Sequence, residues 1–328
     1  MGATDPFLGL RDVPGVSHRY VTANGVGLHV AEAGAGDPVM LLHGWPQHWW
    51  MWRNVMPALA ERYRVIAPDL RGFGWSDAPA PRRGRPCYDK RELATDILAL
   101  IDQIGIDRPI KLAGHDWGGW IGFLVAMREP QRFERFMPMN IPPPWGDPGR
   151  FDLRRQIKAL SRLGYQLPLS TPGVNRWLLS GGGRDRFKRG IVHATDNRDA
   201  WSDGSLDHFL GQFEDARRAD ASMYLYRTFL TRELRPIVTG KYVRGRLTVP
   251  TRMLFGADDV VVTREVIEAD HSRMADDFSV EIVEGCGHFI VDEQPDLVTA
   301  GIIEWFGAGA AGPRGPDERS GATSRGPV

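Results

Sequence analysis

The run Ile110-Lys111-Leu112-Ala113-Gly114-His115-Asp116-Trp117-Gly118-Gly119 reads as an apolar strand, a tight glycine-bounded turn and the start of a helix. It has the G-x-S-x-G pattern of a nucleophile elbow, with Asp116 where serine is usual. Such a turn projects its central residue into a cleft at a helix N-terminus, where negative charge is favoured. A serine hydroxyl must first lose a proton to a base. A side-chain carboxyl, with an ordinary pKa of about 3.9, is already ionised at neutral pH. Its attack on an ester would give a high-energy anhydride, which demotes esterase, lipase and peptidase chemistry. Attack on a saturated carbon bearing a leaving group gives an ordinary ester, which water can reopen at the carboxyl carbon. The plain alternative for Asp116 is a helix cap, and the rest of the constellation argues against it.

Reopening that ester needs a general base, and histidine is the usual one. His288, in Gly285-Cys286-Gly287-His288-Phe289, follows an apolar strand and comes after the nucleophile in the expected chain order. The imidazole needs an orienting acid, and Phe255-Gly256-Ala257-Asp258-Asp259 offers two. Residue chemistry alone does not choose between Asp258 and Asp259. The tetrahedral intermediate needs two backbone N–H donors. One falls to Trp117, the residue after the nucleophile, and the other to Trp45 in His43-Gly44-Trp45-Pro46. Trp45-Pro46 is also a candidate cis peptide, while Trp49, Trp50 and Trp52 read as packing.

The elements that must hold these residues alternate between short β runs and helices. Tyr20–Thr22, the Asn24-Gly25 turn signal and Val26–Ala33 predict an opening hairpin. Strands are expected at Val39–Leu42, Tyr63–Ala67, Ile110–Ala113, Phe133–Asn140, Thr251–Phe255 and Phe278–Val283. Helices are expected over Glu92–Ile104, from just after Asp116 to about Met127, over Arg264–Met274 and over Asp296–Trp305. Such alternation implies a mostly parallel sheet with helices on both faces. The middle breaks the rhythm: it opens on Pro142-Pro143-Pro144 and has helical stretches such as Leu153–Leu163 and Ser222–Leu230 with no buried strand between them. The expected organisation is a core of residues 1–141 and 247–308, an inserted helical lid of 142–246, and a disordered tail of 309–328. The first dozen residues also read as loose.

Composition bounds the function classes. Acids and bases balance at 41 each, so no footprint for nucleic acid or an anionic membrane is present. Cys87 and Cys286 are far apart with no CxxC spacing, which argues against a disulfide framework or structural zinc. Met1–Arg11 lacks the pattern of a secretory signal, and no apolar run approaches the roughly 18–20 residues of a membrane helix. A cytoplasmic protein is the expectation.

With these residues in view, a resemblance becomes specific. His43-Gly44-Trp45-Pro46, the run from Asp69 to Asp77, Gly114-His115-Asp116-Trp117-Gly118-Gly119, Gly256-x-x-Asp259 and Gly287-His288 resemble the epoxide hydrolases of the α/β-hydrolase superfamily. The likeness spans about Ser17 to Phe306. It implies an α/β fold with a helical lid inserted between strands, and it points to Asp259 as the orienting acid. Some relatives place that acid after an earlier strand, but Asn140 stands there and cannot take the role. Haloacetate dehalogenases typically show Arg where this chain has Trp117.

The lid separates epoxide from haloalkane chemistry. An epoxide oxygen leaves as a basic alkoxide and needs a proton, which a tyrosine can give; a halide needs only N–H donors. Tyr165-Gln166-Leu167 and Tyr226-Arg227 resemble the segments bearing the two lid tyrosines of epoxide hydrolases, and Tyr224 becomes a packing neighbour. The resemblance thus implies substrate binding by Trp117, Tyr165 and Tyr226, a small-molecule epoxide as substrate, and no metal or organic cofactor. Two alternatives stay open: a haloalkane dehalogenase with Trp45 and Trp117 as a halide cradle, and a non-catalytic ligand-binding protein. Gly181-Gly182-Gly183 and the polar stretch His193–Asp203 have no assigned role.

Overall fold

The computed structural model describes residues 9–81, 87–145, 163–262 and 264–308. Eight strands form one sheet: β1 (Val16–Ala23), β2 (Val26–Ala33), β3 (Asp37–Leu42), β4 (Tyr63–Pro68), β5 (Ile110–His115), β6 (Phe133–Met139), β7 (Thr251–Gly256) and β8 (Phe278–Val283). Their spatial order is β1-β2-β4-β3-β5-β6-β7-β8. β2 pairs antiparallel with both β1 and β4, and every other pairing is parallel. The β1–β2 hairpin turns at Asn24 and Gly25, both with positive φ, as an Asn-Gly turn requires. Strands β3 and β5, near the middle of the sheet, are buried on both faces, which explains the apolar run Val39–Leu42; in β5 Lys111 interrupts the run and pairs with Glu134.

Two core helices bear on the site, α1 (Lys90–Gln103) and α2 (Trp117–Arg128). Asp89 starts α1 by accepting from the Glu92 N–H. Successive residues of β6 show that both faces of the sheet are covered. Arg135 stacks on Trp305 of the C-terminal helix Pro295–Gly307, whereas Phe136 packs edge-on against Phe123 of α2. The chain leaves β3 toward β4 on one side and later returns to β5 on the other. The loops after β3 and β5 therefore diverge and open a crevice at the carboxyl end of the sheet.

Between β6 and β7 the described residues hold helices, among them Arg184–His193, Ser205–Gly211 and Ala216–Thr228, and no strand, only an isolated bridge at Leu247. The stretch expected as a helix over Ser222–Leu230 is the end of Ala216–Thr228 followed by a π-helical turn, Phe229–Glu233. The helix expected over Leu153–Leu163 lies outside the described residues except for its last position, and the tail of 309–328 and residues 1–8 lie wholly outside them. One helix is much shorter than expected. Instead of running from Arg264 to Met274 it covers Arg264–Ile267. The Asp270 carboxylate takes the Ser272 N–H and the His271 ring meets the Ile267 carbonyl, so side chains compete for groups a longer helix would pair. Among the described residues no helix is long and apolar enough to cross a membrane.

Candidate active site

The elbow at Asp116 is built on backbone that tolerates little change. Asp116 has φ +50°, and its N–H donates to the Met139 carbonyl at the end of β6. A β-carbon on Gly118 would lie 2.3 Å from the Leu42 carbonyl oxygen, and one on Gly44 would lie 2.4 Å from the Asp116 β-carbon. Glycine at both places lets β3, its following loop and α2 close around the carboxylate. The loop after β3 carries a cis Trp45-Pro46 peptide. It also places the Trp45 backbone N–H 2.9 Å from Asp116 Oδ1. Of the two expected oxyanion donors, Trp45 is thus aimed directly at the carboxylate, while Trp117 opens α2 immediately after it.

His288 faces Asp116 across the crevice, with Nε2 3.6 Å from Asp116 Oδ2. Its Nδ1 lies 2.8 Å from Asp259 Oδ2. Asp259 is buried and also accepts from Asn140 Nδ2 and from the backbone N–H groups of Val261 and Val262. Asp258 is exposed, which separates two acids that are adjacent in the chain. Burial alone would raise the Asp259 carboxyl, but His288 and these donors hold it below the ordinary carboxylate value. At His288 burial opposes the charged form. Asp259 and Asp116 outweigh it and bring the imidazole up to about 10. The resting site therefore holds an imidazolium between two carboxylates.

Two supports of this geometry had no role in the sequence reading. Asn140, dismissed as an acid, donates from Nδ2 both to Asp259 and to the Gly287 carbonyl. His115, next to Asp116 in the chain, places Nε2 2.7 Å from the His288 carbonyl oxygen. A carbonyl only accepts, so His115 Nε2 carries the proton. Burial and the neighbouring His288 bring His115 down to about 4, and it is a neutral donor.

The helical insertion brings Tyr165 and Tyr226 together, with ring centroids 6.0 Å apart. Tyr226 packs edge-on against Trp45 at 5.1 Å and Trp117 at 6.0 Å. Burial raises both phenols, and the Asp116 charge raises them further. Both hydroxyls therefore keep their protons at neutral pH while sensing the Asp116 carboxylate. Tyr224 stacks on Tyr88, the expected packing neighbour. Trp49, Trp50 and Trp52 are buried.

The two candidate indoles differ. Trp45 Nε1 donates to Ser222 Oγ at 2.8 Å, one turn before Tyr226 on the same helix. Trp117 Nε1 is buried and closes no hydrogen bond. Below its ring sits the wholly buried Lys90, with Nζ 4.3 Å from the ring centroid and 2.9 Å from Glu233. Among the described residues no group of three or more His, Cys, Asp or Glu side chains could hold a metal ion.

The α/β-hydrolase fold family matches residues 37–295, most of the chain and every strand from β3 onward. The chain belongs to that family. Among α/β-hydrolase relatives, the soluble epoxide hydrolase of a Corynebacterium species is 27% identical over 89% of this chain and 97% of its own. Epoxide hydrolase A of Mycobacterium tuberculosis is 28% identical over 88% of this chain and 97% of its own. In structure, the epoxide hydrolase CorEH superposes with a TM-score of 0.75 at 28% identity, covering 89% of this α/β hydrolase and 99% of that chain.

Proposed function

We propose that this α/β hydrolase converts an epoxide to a vicinal diol through a covalent ester on Asp116. The observation that carries the reading is a carboxylate on the elbow 3.6 Å from the His288 ring, with the helical insertion bringing the half-buried Tyr165 and the buried Tyr226 together over Trp45 and Trp117. The names of its relatives agree with it.

In the first step an Asp116 oxygen attacks a ring carbon and the carbon–oxygen bond opposite breaks. Its electron pair goes to the epoxide oxygen, which Tyr165 and Tyr226 hold and protonate. This leaves a hydroxyalkyl ester, a tyrosinate and the His288 imidazolium. Esterification removes the Asp116 charge, one of the two that keep His288 protonated. The imidazole can then release its proton, which restores the tyrosine and leaves a neutral base. In the second step His288, oriented by Asp259, takes a proton from water as the oxygen attacks the ester carbon. Backbone N–H groups of Trp45 and Trp117 hold the oxyanion. Collapse expels the alkoxide, the proton left on the new Asp116 carboxyl passes to it, directly or by way of His288, to give the diol, and Asp116 and His288 return to their resting charges. The helical insertion acts as the lid that carries the acids.

The dehalogenase alternative would need two indole N–H groups free for a departing halide. Trp45 Nε1 is committed to Ser222, which tells against that cradle. A retired binding cleft would have no need of the full set of partners around Asp259 and His288. A panel of aliphatic and aromatic epoxides beside bromoalkanes, scored for diol and halide together, tests the reading. Diol from styrene oxide without halide release is expected. Halide release without diol, or epoxide binding without turnover, would overturn it.

A further inference from the structure

Two consecutive buried carboxylates, Asp292 and Glu293, follow His288 and have no part in the chemistry above. Glu293 is saturated with backbone donors. Its Oε2 accepts from Gly287 at 2.9 Å, Asp196 at 2.8 Å and Asn197 at 3.1 Å, and its Oε1 accepts from Phe289 at 2.9 Å. Gly287 and Phe289 flank His288, whose own N–H donates to the Ala194 carbonyl at 3.0 Å. All three N–H groups of the base-bearing loop are therefore held. One is held directly by the helical insertion, and two by a carboxylate that the insertion also binds.

Further contacts tie the same pieces together. Trp201, anchored by its indole N–H to Thr195 Oγ1, packs edge-on against Phe289 at 5.2 Å. Asp292 accepts from Gln47 of the loop after β3 and from Arg53, which also reaches Asp203. The polar stretch from His193 to Asp203 thus lies across the histidine loop and reaches toward the loop that carries Trp45.

The energetics give this seam a consequence. If residues 194–197 moved away, Glu293 would lose two of its four donors and the His288 N–H would lose its acceptor. Unpaired buried polar groups are costly, so the loop would have to rearrange. The loop's other anchors, Asp259 on the ring, His115 on the His288 carbonyl and Asn140 on the Gly287 carbonyl, hold its acceptors and leave its three N–H groups to Glu293 and Ala194.

We propose that Glu293 is a positioning residue through which residues 194–197 of the insertion set the His288 base, so that hydrolysis of the ester depends on it while ester formation does not. This rests on the two-step reading above. Ester formation uses Asp116 and the tyrosines, none of which touches Glu293. Hydrolysis uses His288, and a displacement of about 1 Å can cost on the order of a hundredfold in rate.

The test separates the two steps by rapid quenching and intact-protein mass spectrometry, following the appearance and decay of the ester with styrene oxide. In Glu293→Gln one acceptor oxygen becomes a donor facing N–H groups. Ester appearance is expected to match the parent, and decay to slow by roughly tenfold to a hundredfold. Gly287→Ala attacks the same seam from the other side, because its β-carbon would lie 2.7 Å from the Ala194 carbonyl oxygen and 2.8 Å from the Asp196 nitrogen. It should give the same selective slowing, and it decides alone if Glu293→Gln does not fold. A merely structural role would lower the melting temperature and slow both steps together. Proportional slowing of both steps, or parental decay in these variants, overturns the inference while leaving the two-step reading intact. Absence of any ester in the parent sinks both.

Discussion

Replacing Asp116 with Asn isolates the electrostatic coupling at the centre of the site. In the parent, His288 Nε2 lies 3.6 Å from one carboxylate and Nδ1 lies 2.8 Å from another. Two unit charges separated by 3.6 Å in a medium of effective dielectric constant about 20 attract by roughly 4–5 kcal/mol. At about 1.4 kcal/mol per pKa unit that is on the order of three units. The parent imidazole stands up at about 10, so removing the Asp116 charge should bring it to near neutrality. A general base works best there. Asn has nearly the size of Asp and no charge, so the variant mimics what esterification does to the field at His288. Imidazole NMR across the neutral and alkaline range, with His288 assigned by difference from a His288→Gln sample, reads the shift directly. The linkage sign follows from the raised value. Stabilisation by the imidazolium is full below its unfolded pKa of about 6.5 and is lost as pH rises through about 10. Thermal melts of the parent should therefore weaken over that window, and those of Asp116→Asn should weaken less. Identical His288 titration in both proteins, or a parent value near 6.5, would refute the coupling.

Three further outcomes follow from named contacts. His288→Gln should accumulate the alkyl-enzyme, visible as a mass increase equal to the epoxide, and full steady-state turnover by this variant would contradict the base assignment. Tyr165→Phe combined with Tyr226→Phe should lower kcat/KM for epoxide opening by about a hundredfold to ten-thousandfold, the usual worth of general acid catalysis; parental rates would remove the tyrosines from the mechanism. Lys90→Met leaves the buried Glu233 without its cation and should cost about 3–5 kcal/mol of stability, measured by denaturant unfolding, with partial recovery on adding Glu233→Gln. A Lys90→Met protein as stable as the parent would show that the pair is not compensated as its 2.9 Å contact indicates.

Much of the core was legible because its signals are local. The apolar run of β3, the glycine-bounded turn after β5 and the Asn24-Gly25 turn need no distant partner to be read. Strand order was not legible, since it depends on which buried edges meet. The overlong helix at Arg264 came from counting apolar spacing while a side chain, Asp270, claimed the backbone. Asp258 and Asp259 are chemically identical neighbours: residue chemistry does not choose between them, the family resemblance points to Asp259, and burial and the contact with His288 set it apart from the exposed Asp258. The supports of the site were hidden for another reason: they act across the chain. Ser222 is 177 residues from the indole it holds, and Glu293 is 97 from Asp196. Spacing carries no trace of either contact.

The most direct measurement is a single turnover in water enriched in oxygen-18, with enzyme in excess over epoxide, followed by mass analysis of the diol and of the peptide containing Asp116. If the carboxylate opens the ring and water reopens the ester, the heavy oxygen ends in the Asp116 side chain and the diol of that turnover is unlabelled. Label in the diol with an unlabelled Asp116 would mean that water attacks the epoxide directly.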